Sequence, residues 1–243
     1  MIKYDFIKYI NIFNENCKDN NSNLQWEHCY KVFYESRNNS KPDIDYLSLH
    51  LAFYLASWGM YRGSSFLRDY DYRVHIPVVR EILSKTWNDL LAINVDGYTE
   101  KNEELLVNLY TEIYTEYANI RKESLIKKKK DDVKSPVSPI LITKVLLGTL
   151  ACVPAYDRYF ERGLKDYGLK PKSIQRESLK AILNSLKKSL KALSSFYKIN
   201  ESELEKARDD LHIKDSKIQY PQMKLLDMGF WQIGRDIEDN NKD

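Results

Sequence analysis

The chain is poor in residues that interrupt helices and in those that staple small folds. Of 243 residues only eight are glycine, seven proline and three cysteine. The long stretches between the glycines and prolines repeat apolar residues at spacings of three and four, which predicts an all-α chain with few or no strands. Cys17, Cys29 and Cys152 are odd in number and form no CxxC pair, which argues against a disulfide framework or a zinc site. The four histidines, His28, His50, His75 and His212, share no metal-ligand spacing. HExxH, GxSxG and glycine-rich phosphate loops are absent, so zinc hydrolase, serine hydrolase and P-loop readings fall away, and neither metal nor cofactor is expected. Long apolar runs are missing too. The two most apolar stretches, Leu47 to Ser57 and Ile140 to Val153, fall short of the roughly 20 residues a bilayer span requires. The first ten residues interleave charge with apolar side chains, unlike a signal peptide. A cytoplasmic protein without a membrane partner is the expectation.

What is present is a large apolar fraction, 43%, enough for a substantial core. Helices are predicted over Asp5 to Asn14, Gln25 to Ser36, Asp43 to Met60, Pro77 to about Asn88 and Asn102 to about Lys122, with a turn at Asp96-Gly97. A basic Pro/Ser loop, residues 127–139, divides an N-terminal helical subdomain, 1–126, from a C-terminal one, 140–243. The second holds a helix around Lys144 halted by Pro154, and a helix opened by Asp157 that ends near Gly163. A long helix from about Pro171 to Tyr197 and closing helices at Glu201 to Asp210 and Pro221 to Ile233 complete it.

Net charge is only +3, so distribution rather than total charge speaks to partners. From Lys165 to Lys198 nine basic residues face two acidic ones, and Lys170, Lys172, Arg176, Lys180, Lys187 and Lys188 are the expected contacts to a DNA backbone. The same helix also reads as an ordinary solvated face.

Two stretches carry candidate chemistry. In the first, His50, Tyr54 and Trp58 recur every fourth residue and so stack on one helix face, with Arg62, Ser64 and Ser65 supplying donors just beyond. This is either an aromatic core or a slot for a flipped base, with Tyr156 as a further wall. In the second, Lys144 and Asp157 bracket an otherwise apolar run. An Asp at that point is an N-cap or a catalytic carboxylate, and the lysine is a stem reaching water or a buried amine.

The segment from Pro139 to Phe160, with a Lys early in a buried helix, a proline-containing turn and an Asp opening the next helix, resembles the helix-hairpin-helix DNA glycosylase superfamily, particularly its 8-oxoguanine-glycosylase-like branches. Leu225 to Trp231 is similar to the closing helix of those branches. Ser135 to Ile142 lacks the family's glycine-rich turn, and Asp157 follows Lys144 by thirteen residues, closer than is usual there. The resemblance implies an enzyme that hydrolyses the N-glycosidic bond of a flipped, modified base in duplex DNA. It assigns Asp157 to support of the chemistry and Lys144 to the nucleophile of lyase-competent members. Anti-phage branches that attack hypermodified cytosines make phage defence the implied context. A carboxylate beside the anomeric carbon fits such a reaction, because cationic charge builds on the sugar. The alternatives are a non-catalytic helical module that binds nucleic acid or protein, and a helical ribonuclease toxin, since Arg208 and His212 resemble a compressed Arg-x-His signature.

Overall fold

The computed structural model describes residues 5–17, 22–63, 65–127, 137–171, 173–174 and 178–240. Ten α-helices account for most of them: α1 Phe6–Glu15, α2 Gln25–Ser36, α3 Ile44–Ser57, α4 Ile76–Ile82, α5 Glu100–Lys127, α6 Pro139–Thr149, α7 Arg158–Tyr167, α8 Leu179–Ile199, α9 Glu201–Asp209 and α10 Gln222–Asn240. Four short 3-10 segments lie between α1 and α5, and the one extended pairing among the described residues is an isolated bridge between His212 and Gln219. The chain is all-α.

Local chemistry fixes the helix ends. Asp5, Asp43, Asp157 and Ser178 each accept a backbone N–H of the first turn that would otherwise be unpaired. Helix α3 stops at Ser57 rather than continuing to Met60, because Gly59 takes a left-handed conformation at φ 80°. The helix predicted from Pro77 to Asn88 is two pieces, α4 and a 3-10 segment at Lys85–Leu90 whose first turn is capped by the Ser84 hydroxyl. Helix α7 runs past Gly163 to Gly168, the residue that adopts the left-handed cap at φ 87°. Helix α6 ends at Thr149, before Pro154 is reached: Ala151 turns back at φ 50° and its N–H bonds the Leu146 carbonyl.

Gly163 has a different task. A side-chain carbon there would fall 2.0 Å from the Phe230 carbonyl oxygen, and one at Gly234 would fall 1.9 Å from that of Tyr159. Helices α7 and α10 therefore cross with backbone touching backbone, the start of α7 at Gly234 and the loop before it reaching Asp227. Helices α1, α2, α3 and α6 pack around this crossing, and apolar residues from Phe6 to Ile233 form one contiguous core spanning both halves of the sequence. Helix α6 is apolar on every side, as a central helix must be. Lys144 is its one charged residue, and that residue is buried as well.

Two polar chains inside this core are fully satisfied. His75 is enclosed, with its ring nitrogens 2.7 Å from the Tyr61 hydroxyl and 2.8 Å from the Tyr117 hydroxyl. A neutral imidazole has one donor and one acceptor, so one tyrosine donates and the other accepts. Burial drives its pKa down to about 3. Glu27, also buried, accepts from the Tyr220 hydroxyl and the Lys214 N–H.

Candidate active site

Asp157 reaches its position through a loop, residues 150–156, that the core holds at several points. The Ala92 N–H bonds the Leu150 carbonyl, and the Tyr98 hydroxyl donates to the Cys152 carbonyl. The Ala155 N–H donates to Asp227 Oδ1 at 3.0 Å, and the Tyr156 N–H to Thr143 Oγ1 at 3.1 Å. Each buried backbone group named here thus has a partner, as a rigid buried loop demands.

The Asp157 carboxylate does two things at once. Oδ1 caps α7 by accepting the Tyr159 and Phe160 N–H groups at 3.1 and 3.2 Å. Oδ2 lies 3.2 Å from Lys144 Nζ, so the two residues that bracket the apolar run are an ion pair, the lysine side chain 4% and the aspartate 13% exposed. Lys144 Nζ also donates to the Trp58 carbonyl at 3.2 Å and sits 5.1 Å from the centre of the Trp58 ring.

A second pair faces the first. Lys224 Nζ is 2.9 Å from Asp227 Oδ2, with both side chains buried, and the ammonium rests between the faces of Phe13 and Trp26 at 4.7 and 5.0 Å. Burial raises the Asp227 pKa, Lys224 and the Ala155 N–H oppose that rise, and the charge of Asp157 adds to it. Burial likewise raises the Tyr54 phenol well above its ordinary value, and the charges of Asp227 and Asp157 are among the further causes. The Tyr54 ring approaches α6 closely because Gly148 leaves room; a side-chain carbon at Gly148 would come within 2.5 Å of the ring.

These groups line a single hollow together with Trp26, Leu147, Ala155 and Trp231. Its volume is about 10 Å3, room for roughly one water molecule. Trp58 and Trp231 meet edge to face at 5.7 Å, and both indole N–H groups are buried without a partner. Tyr159 packs against Trp231 at 5.1 Å, while Arg235 and Arg158 lie over the rings of Trp231 and Tyr159.

Of the residues predicted from sequence, Lys144, Asp157, Tyr54 and Trp58 converge here. The others do not. His50 is one turn too far back on α3 and packs on Tyr46, and Arg62 is exposed with its chain folded against Gly59. Ser65 caps a 3-10 segment, and Tyr156 is buried pointing away, its hydroxyl donating to Ser189 on α8 at 2.7 Å. Ser64, Lys172 and Arg176 lie outside the described residues, as do residues 128–136 of the basic loop. Lys170 is exposed, Lys187 lies 3.7 Å from Glu103, and Lys180 and Lys188 border a shallow groove of about 500 Å3 over the start of α8. This groove is larger than the hollow but holds no comparable cluster of partnered charges. Arg208 is occupied by Glu205 and the Tyr220 carbonyl, and His212 is exposed on the bridge to Gln219.

Lys224, Asp227, Trp26 and Trp231 are residues that sequence reasoning did not assign to the site. Lys224 and Asp227 are three apart inside Met223–Gly234, a stretch otherwise apolar enough to be wholly buried. Charges in such a run are the available signal.

Among the described residues no three His, Cys, Asp or Glu side chains gather as a metal-binding group, and no helix is long and apolar enough to cross a membrane. No family model, curated protein or solved structure matches the chain.

Proposed function

We propose that the protein is a DNA glycosylase that hydrolyses the N-glycosidic bond of a modified base turned out of the duplex, with Asp157 as the catalytic carboxylate. One observation carries the reading: Asp157 and Lys144, thirteen residues apart, meet beside Trp58 in a hollow that Trp26, Tyr54 and Trp231 also line. Clusters of buried titratable groups in a concave site are where chemistry concentrates.

The mechanism follows from charge. As the C1′–N bond lengthens, the sugar becomes cationic, and a fixed carboxylate stabilises it more than it stabilises the neutral ground state. Two backbone N–H groups and Lys144 hold Asp157 in place, so little reorganisation accompanies the reaction. The base requires more space than one water. Its entry requires Trp58 to swing aside, and the strap that follows Trp58 has a glycine with positive φ at each end, Gly59 at 80° and Gly63 at 59°. The opened slot would present the Trp231 ring for stacking and its indole N–H as a donor for the base edge. Lys180 and Lys188 beside the α8 groove supply phosphate contacts. A hypermodified cytosine of phage DNA as substrate, with phage defence as the context, belongs to the same proposal.

The test incubates the purified chain with ordinary and modified phage DNA, then applies alkali and measures strand breaks at abasic sites. Breaks are expected on modified DNA, and Asp157→Ser, which keeps a capping oxygen and loses the charge, abolishes them. Breaks that survive Asp157→Ser refute the assignment, and no base release from any DNA refutes the function.

A second reading has one observation in its favour. Both Asp157 oxygens already have partners, as a purely structural brace requires. On that reading the chain is a non-catalytic nucleic-acid-binding module, and salt-sensitive binding without base release is its signature.

A further inference from the structure

Lys224 and Asp227 are the feature that the reading above does not use. We propose that the hollow between the two carboxylate–lysine pairs seats one water, that this water is the nucleophile, and that Asp227 and Lys224 form the half of the site that holds it. The inference rests on the glycosylase reading for its chemistry and on the cavity for its geometry.

Space and polarity both select water. The volume of about 10 Å3 admits roughly one molecule and nothing larger. The lining includes Lys144, Asp157, Lys224 and Asp227, two ion pairs of 3.2 and 2.9 Å. It also includes Trp58 and Trp231, whose indole N–H groups are buried and without a partner, Trp231 being 7% exposed. A buried water makes two to four hydrogen bonds, and apolar cavities are the ones that stay dry.

The same geometry assigns the lysines. Lys144 donates to a carboxylate and a carbonyl and faces an indole ring, while Lys224 is bound to a carboxylate between two aromatic faces. Each lysine is thus held by a carboxylate and aromatic faces and is not free to reach a sugar carbon. The step is therefore hydrolytic. The water oxygen bonds C1′ as the C1′–N bond breaks, the electron pair of that bond leaves with the base, and a water proton passes to Asp157. Asp157 is the more exposed of the two carboxylates and so the one nearer an entering sugar, whereas Asp227 is anchored by the Ala155 N–H on the inner side. Nothing is oxidised or reduced, and the product is an abasic site with the strand intact.

Two measurements on the full chain decide this. A high-resolution crystal structure is expected to show one ordered water within hydrogen-bond distance of Asp157 or Asp227 and of at least one lysine; an empty hollow overturns the proposal. Borohydride reduction in the presence of a duplex carrying a preformed abasic site is expected to give no covalent protein–DNA adduct. An adduct that disappears in Lys144→Met or Lys224→Met overturns it. Asp227→Asn, assayed where circular dichroism shows it folded, is expected to slow base release by about 10- to 100-fold, and an unchanged rate counts against Asp227. The two readings fail differently: an ordered water with no base release from any DNA removes the glycosylase, whereas base release accompanied by a lysine adduct removes only the water.

Discussion

Neutralising Asp227 should destabilise the fold far more than removing Lys224, although the two form one ion pair. At 2.9 Å and an effective dielectric constant of about 20, their attraction is about 6 kcal/mol. Desolvating two ions costs several kcal/mol each, so the intact pair contributes little net stability. Asp227→Asn retains an oxygen for the Ala155 N–H but leaves the Lys224 ammonium buried without a counter-ion, which costs about 3–5 kcal/mol. Lys224→Met is milder. The remaining carboxyl, whose pKa burial already raises, can take up a proton and become neutral. Urea unfolding followed by far-ultraviolet circular dichroism measures both. The Lys224→Met penalty shrinks as pH falls, because burial raises the Asp227 pKa and protonation relieves the unpaired charge, the Asp227→Asn penalty does not, and the double variant is more stable than Asp227→Asn alone. In thermal unfolding, Asp227→Asn should lower Tm by roughly 6–20 °C for a chain of this size. An Asp227→Asn variant within about 0.5 kcal/mol of the parent would refute the argument, because Lys224 would then have had another counter-charge or ready access to water.

His75 predicts acid sensitivity. Its folded pKa of about 3 lies below the unfolded value of about 6.5, so the unfolded chain binds the extra proton and stability falls as pH drops through that window. From pH 6.5 to 5 the loss is about 2 kcal/mol from this residue, which His75→Gln removes from the difference between unfolding curves at pH 7 and 5. Asp227, with its raised pKa, works oppositely just above its ordinary value, stability there being lost as pH rises. Gly163→Ala should cost about 3 kcal/mol or more, since a new carbon 2.0 Å from the Phe230 carbonyl oxygen cannot be relieved by a rotamer, whereas Gly168→Ala has open space and costs about 1 kcal/mol of left-handed strain; urea midpoints distinguish them. Asp157→Ala should be about 1 kcal/mol less stable than Asp157→Ser, the difference being the cap that serine keeps; equal stabilities would mean that the capping bonds carry no weight.

Helix positions were legible because their determinants are local. The bounds of α2 match the prediction, and Asp157 is the N-cap that its place after Pro154 suggested. Local rules failed where a distant segment decides. Gly163 looks like a stop signal in sequence, but its role comes from Gly234 and Phe230, some 70 residues away, and close approach is a property of the pair. Of the His50, Tyr54 and Trp58 ladder only the first two lie on α3, since the helix ends at Ser57 and Trp58 is its C-cap; α3 is also apolar nearly all round and leaves Leu49 and Phe53 exposed. Periodicity could not say which end of the ladder meets α6. Lys224 and Asp227 escaped because a Lys and an Asp three apart on a helix ordinarily read as a solvated pair. The packing of α1 and α2 against the start of α10 encloses that pair, Lys224 lying against Phe13 and Trp26.

The energetics of the hollow bear on why four charges are there at all. Capping α7 requires one oxygen at residue 157, which serine also provides, and filling the space around Leu147 and Trp26 requires only volume. Well-packed apolar side chains of similar size commonly match or exceed a buried ion pair in stability. Two such pairs, sharing one water-sized cavity with two unpartnered indole N–H groups, are therefore more polar than the fold needs. Stability accounts for the cap, the packing and the bonds to the Ala155 N–H and the Trp58 carbonyl, but neutral side chains could supply all of these. In the proposed reaction all four have a use: two carboxylates oppose the developing cation, and the two lysines fix those carboxylates in place.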